Sequence, residues 1–317
     1  GSALRFRSGT ATLQGWQMQD GSVSFVLKAP RARGFIGLRV REQADGSYED
    51  FYLRPHKHNA PDALQYTPSF SGADTNWQLF HGPTGTASAP TQDTEEGIAV
   101  EIVFEGRDAA IFIGEALEPA LRIPRLALEP RTGGLTFWSN VLQPTELELP
   151  IMIENIQVSA SSSRSIPAVD APVAREGAVM AWGLGEAFAT DQLAEEVPIG
   201  VRFQARSTEP DGMLLIDRHV TRAGGEGLPA VSAGIVIQSQ SAQTAKMELG
   251  FSDLVTVFLN GTPIFQGDHR YSYAEPIRPG FFQPNEAALF LPLEAGRNEL
   301  VIVVLESFGG WALAARF

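Results

Sequence analysis

The chain has 317 residues, enough for two domains at the common size of roughly 150 residues each. Hydrophobic residues make up 44% and charged ones 19%, which excludes long disorder and lets each half bury a core. A net charge of −13 opposes nucleic acid, which needs a clustered basic face, and the lack of cysteine excludes disulfides, thiolate metal sites and a thiol nucleophile. No apolar run reaches the length of about 18 residues that a membrane-crossing helix requires, so no transmembrane segment is expected.

From the start of the chain the hydrophobic pattern has a period close to two. Residues 22–29 (SVSFVLKA), 34–41 (GFIGLRVR), 48–54 (YEDFYLR) and 77–81 (WQLFH) are expected as strands. Residues 98–105 (IAVEIVFE), 109–114 (AAIFIG), 134–139 (GLTFWS) and 151–158 (IMIENIQV) continue the series. The separators, such as Gln19-Asp20-Gly21 and Ala44-Asp45-Gly46, are turn formers. Short strands between frequent turns predict an all-β protein built from antiparallel β-sandwiches.

Residues 159–172 (SASSSRSIPAVDAP) break this pattern. Their serines and prolines predict a connector, giving domains over 1–158 and 173–317. Strand signals then resume at 178–182, 199–205, 213–216, 234–238, 245–251, 255–259, 288–293, 299–305 and 311–317. Within 255–267 (VTVFLNGTPIFQG), Asn260-Gly261 tolerates the positive φ of a tight hairpin. The β-branched run at 301–305 predicts a central strand buried on both faces.

These motifs also carry family resemblances. VTVFLNGTPIFQG, followed by LPLEAGRNELVIVVLESFGGWALAARF, resembles a galactose-binding-like jelly roll. The stretch from KAPRARGFIGLRVREQADGSYEDFYLRPHKHNAPDALQYTP to NWQLFHG, closed by IENIQV, resembles concanavalin-A-like jelly rolls. The nearest in pattern are the laminin-G-like and 3-keto-disaccharide-hydrolase-like sandwiches. Together the two resemble bacterial two-module proteins of extracellular carbohydrate chemistry. The resemblance implies a curved sheet whose concave face holds sugar, and a periplasmic or extracellular location.

The densest polar and aromatic cluster lies between Tyr48 and His81. Strand alternation puts Phe51 and Leu53 on one face and Tyr52 and Arg54 on the other. Tyr52, Arg54, His56, Gln65, Tyr66, Trp77, Gln78 and His81 are the candidate ligand-binding residues. Aromatic rings stack on the apolar faces of sugars, while Arg, Gln and His read hydroxyls through directed hydrogen bonds.

Catalytic chemistry has thinner support. A glycosidase needs two facing carboxylates, and of Glu49, Asp50, Asp62 and Asp74 the first two are adjacent on a strand and so point apart. A lyase would use His56, His81 or Tyr66 as base, with Arg54 neutralising a uronate. In the second half Asp217, Arg218, His219 and the run Asp268 to Tyr273 stand out. Ser307 lies in no nucleophile elbow, and no phosphate loop occurs. His56 and His58 are too few ligands for zinc, whereas Ca²⁺ fits the loops near Asp45 or Asp268 better. The leading expectation is a carbohydrate-binding or accessory protein with a glycan on its first module. The alternatives are a polysaccharide-active hydrolase or lyase, and a structural or protein-interaction protein.

Overall fold

The computed structural model describes residues 3–30, 32–73, 76–91, 96–142, 150–162, 164–274 and 277–317. The chain divides into two compact units, Gly1–Ala171 and Pro172–Phe317. Both are antiparallel β-structures, and the described residues form no α-helix.

In the first unit one sheet orders its strands Leu4–Phe6, Ile151–Ser159, Gly21–Lys28, Ile98–Glu105, Asp108–Ile113 and Leu121–Ile123. The other orders Gly9–Met18, Gly133–Val141, Gly34–Glu42, Tyr48–Leu53, Leu64–Ser69 and Thr86–Ala87. Alternate residues of each sheet meet in one core. Val23, Phe25 and Ile102 come from the first sheet, and Leu38, Phe51, Leu64 and Phe137 from the second. The Phe25 and Phe137 rings meet edge to face at 5.1 Å across that layer. Burial of these side chains is the main stabilising term, at about 1.5–3 kcal/mol for each fully buried large apolar residue.

Residues 77–81 form a turn rather than the expected strand. The amides of Leu79 and Phe80 close onto the Asn76 carbonyl, and the Gln65 amide group donates to the carbonyls of Trp77 and Phe80. A side chain from the neighbouring strand thus satisfies backbone groups that a sheet ladder would otherwise take. The segment after the last strand of this unit is docked as well. Ser162 donates to Glu101, Arg164 pairs with the same carboxylate at 2.9 Å, and Ile166 packs on Val103, Ala110 and Phe112.

In the second unit the larger sheet orders Gln204–Ser207, Ala181–Leu184, Leu228–Ser239, Gly296–Leu305, Leu254–Leu259 and Thr262–Asp268, with Phe188–Thr190 also paired to Leu228–Ser239. A four-stranded sheet orders Leu214–Leu215, Ala312–Arg316, Gln243–Ser252 and Ala287–Leu293. Asn260 and Gly261 turn the hairpin with φ of 50° and 79°. Gly296–Leu305 lies between two strands, and from Leu300 onward it is buried on both faces. Leu300, Ile302 and Val304 enter the main core, while Val301, Val303 and Leu305 pack with Phe188, Leu193 and Val197.

Candidate functional site

On the Tyr48–Leu53 strand, Phe51 and Leu53 enter the core. The intervening side chains fall on the outer face of the second sheet, where a row of rings crosses several strands. His56 meets Phe35 at 6.2 Å, Phe35 meets Tyr52 at 5.8 Å, and Tyr52 meets Trp138 at 5.6 Å. The Arg39 guanidinium continues the row, 5.8 Å from the Trp138 ring and 4.3 Å from the Tyr48 ring. Phe35, Arg39, His56 and Trp138 are partly exposed, whereas Tyr48 and Tyr52 are buried.

Sheet register builds this row. Gly37 lies opposite both Trp138 and Tyr52. A Cβ at Gly37 would stand 2.5 Å from the indole nitrogen and 2.8 Å from Tyr52 Cβ. The missing side chain therefore lets the indole lie across its neighbour strand. The indole N–H reaches Asp50 Oδ1 at 2.7 Å. Asp50 is 1% exposed, and its Oδ2 has no hydrogen-bond partner among the described residues. Burial pushes its carboxyl up to about 7, against the opposing pull of Trp138 and the Arg39 charge. Beyond Trp138 the face is polar, with the Thr12 and Thr136 hydroxyls 2.9 Å apart and Thr136 donating to Glu42.

Tyr52, Arg54 and Gln65 form a buried bracket under the Phe35 end of the row. Arg54 donates to Tyr52 Oη at 3.1 Å, to Gln65 Oε1 at 2.6 Å and to the Asp62 carbonyl at 2.5 Å. Its guanidinium also lies 5.0 Å from the Tyr52 ring and 5.6 Å from the Phe35 ring. Burial raises the Tyr52 hydroxyl, so it stays protonated. Burial works against the Asp62 carboxyl, yet Lys57 and Arg54 hold it below its usual range. His56 is lowered by burial and by nearby cations, and its Nδ1 accepts from the Gly34 amide.

Other sequence candidates occupy different surroundings. Tyr66 lies opposite Phe51 and enters the core, where its hydroxyl donates to Glu49 at 2.6 Å and accepts from the Ala127 amide at 2.7 Å. Glu49 also accepts from the Leu128 amide, so its carboxylate is turned inward, away from Asp50. Gln78 is fully buried in the turn over Gln65, and Trp77 and His81 are half-buried on that turn. Asp74 lies outside the described residues. Phe35, Arg39 and Trp138 were not among the sequence candidates. The one local signal for them is the glycine interrupting the apolar run FIGLRV.

No group of three or more His, Asp or Glu among the described residues could hold a metal ion. Asp45 caps the Ser47 amide of its own turn, and Asp268 is engaged by Arg270 at 2.7 Å. In the second unit Arg222 forks onto Asp217 at 2.9 and 2.8 Å, and Arg218 pairs with Glu209. Asp253 accepts from the Ser307 and Phe308 amides, which commits the turn at Ser307 to backbone packing.

No family model matches the chain, and neither does any curated protein. Among solved structures it is similar to a carbohydrate-binding module, CBM66, of Bacillus subtilis. There the identity is 11%, the coverage 49% of this chain and 94% of that one, and the TM-score 0.34. Sheep galectin-11 in complex with glycerol follows at 7% identity, 48% and 98% coverage and a TM-score of 0.30. Mouse laminin alpha1 domains LG4-5 cover 99% of this chain and 77% of that one, at 12% identity and a TM-score of 0.31. At such scores the sandwich assignment rests on the strand pairing and the core.

Proposed function

We propose that the first unit binds carbohydrate on the outer face of its second sheet, as a concanavalin-A-like or laminin-G-like binding module. The observation that carries this reading is the row from His56 through Phe35, Tyr52 and Trp138 to Arg39. The partly exposed rings of Phe35 and Trp138 offer stacking platforms for pyranose faces, and Arg39 and His56 offer directed polar contacts. Arg54 and Gln65 brace Tyr52 from beneath, and Gln65 ties down the turn that carries Trp77, Gln78 and His81. Tyr66 anchors the same strand from the core side. Preorganised rings lose little entropy on binding, so a shallow face can still be selective. Hydrolysis is disfavoured because Glu49, the carboxylate next to Asp50 in the chain, is committed to Tyr66 and Leu128.

Glycan-array binding of the full chain, followed by calorimetry on any hit, tests the reading. Phe35→Ala and Trp138→Phe should each weaken binding at least tenfold while circular dichroism stays unchanged. Binding that neither variant alters, or a chain that binds no glycan, overturns the proposal. New reducing ends from the same glycans would favour the hydrolase reading instead. Export to the periplasm or beyond, and a galactose-binding-like identity for the second unit, belong to this same proposal; cell fractionation checks the first.

A further inference from the structure

The second unit contains a groove of about 340 Å³ at the open edge of its larger sheet, lined by Arg202, Gln204, Arg206, Glu186, His219 and Thr221 among others. Gln204–Ser207 is the outermost strand of that sheet. Gln204 pairs with Leu184 and Arg206 with Trp182, both residues of the core. Edge-strand positions opposite core residues would ordinarily carry apolar side chains; here they carry an amide and a guanidinium. The far wall comes from His219 to Thr221, just after a short 3₁₀ turn.

Arg218, Arg222, Arg270, Arg297 and Arg316 each hold a carboxylate in an ion pair. Among the described residues Arg175, Arg202, Arg206 and Arg278 hold none; of these Arg202 and Arg206 line the groove, and Arg206 donates to the neutral Gln204 oxygen at 2.6 Å. What the groove adds is that it brings two such arginines together on one lining, in a chain of net charge −13. Among the described residues Glu186 is the one carboxylate on the lining. Burial lowers His219 below its usual range, Arg218 and Arg206 adding to the effect against the opposing hydrogen bond to Ser207. Its Nε2 faces the Ser207 carbonyl at 3.2 Å, so Nε2 carries the proton and Nδ1 is a hydrogen-bond acceptor.

We propose that this groove is a second saccharide site, selective for a carboxylated sugar of the uronate class. Arg202 and Arg206 supply the cationic end for the carboxylate, which an arginine fork can bind through two parallel hydrogen bonds. His219 Nδ1, Gln204 and Thr221 supply acceptors and donors for ring hydroxyls. The volume is at the lower end of the range for small-ligand pockets, about 300–1,000 Å³, and suits one or two sugar rings. The sugar half of the assignment rests on the proposed carbohydrate role, whereas the anion half stands on two arginines that share one groove and hold no carboxylate among the described residues.

Calorimetric titration of the full chain with trigalacturonate, its methyl ester and sodium sulfate tests this. Trigalacturonate should bind at least tenfold tighter than the ester, because esterification removes the charge and keeps the shape. Arg202→Gln and Arg206→Gln should each lose at least tenfold, while Trp138→Phe should leave this binding unchanged. Loss on Trp138→Phe would assign the uronate to the first unit and overturn the proposal. Equal binding of acid and ester overturns the anion role, and sulfate binding as tightly as trigalacturonate overturns the sugar class. If no ligand binds and the arginine variants instead self-associate, the arginines guard an exposed sheet edge, and the proposal fails.

Discussion

Asp50→Asn offers the sharpest perturbation of the ring row. The Asp50 carboxyl is buried and hydrogen-bonded on one oxygen to Trp138, and the other oxygen has no partner among the described residues. Its folded-state value is raised from 3.8 to about 7. Between those limits the folded chain keeps a proton that the unfolded chain has released, so stability falls as pH rises through the window and levels off above it. Fully ionising the buried group costs about 4 kcal/mol, of which about 2.5 kcal/mol is lost between pH 5 and pH 8. Asparagine keeps the oxygen that accepts from the indole and removes the titration. The variant should therefore gain about 2.5 kcal/mol on the wild type between pH 5 and pH 8. Burial also raises Asp253 and Glu306 in the second unit, so only the difference between the two proteins isolates Asp50. Hydrogen exchange of the 48–53 amides under increasing urea reads the first unit alone. Parallel pH dependences in the two proteins would refute the reasoning.

Gly37→Ala should push the indole off its neighbour strand and cost about 1–3 kcal/mol, with a red-shifted tryptophan emission as the readout. Arg54→Met removes the cation that serves Tyr52, Gln65 and the Asp62 carbonyl. It should cost about 3 kcal/mol and speed exchange in the 64–69 strand. Arg222→Met leaves the buried Asp217 carboxylate without its fork. It should destabilise the second unit by about 3 kcal/mol and leave exchange in the first unit unchanged.

The strand periodicity was readable because each sheet has one face in a core, so alternation at Phe51 and Leu53 translates directly into burial. The hairpin at Asn260-Gly261 was readable for a similar reason, since its φ values admit few residues. The turn at 77–81 was not, because it exists through Gln65, a residue twelve positions away from Trp77. The ring row was also hidden. Phe35, Tyr52 and Trp138 come from three strands, and only cross-strand register brings them together. Gln65 and Tyr66 show the converse: proximity in sequence grouped them, while strand alternation sends one to the outer face and the other to the core.

The central claim, sugar on the outer face of the second sheet, is tested most directly by the indole N–H of Trp138. Full-length protein carrying ¹⁵N-labelled tryptophan would be titrated with a panel of neutral hexasaccharides. Because that N–H is bonded to Asp50 at 2.7 Å, contact on the row perturbs its resonance, while the fully buried Trp182 and Trp311 serve as controls in the other unit. The account predicts that at least one saccharide shifts Trp138 saturably and leaves Trp182 and Trp311 in place. A panel that leaves Trp138 unmoved, or a saccharide that binds while shifting only the second unit, would contradict it.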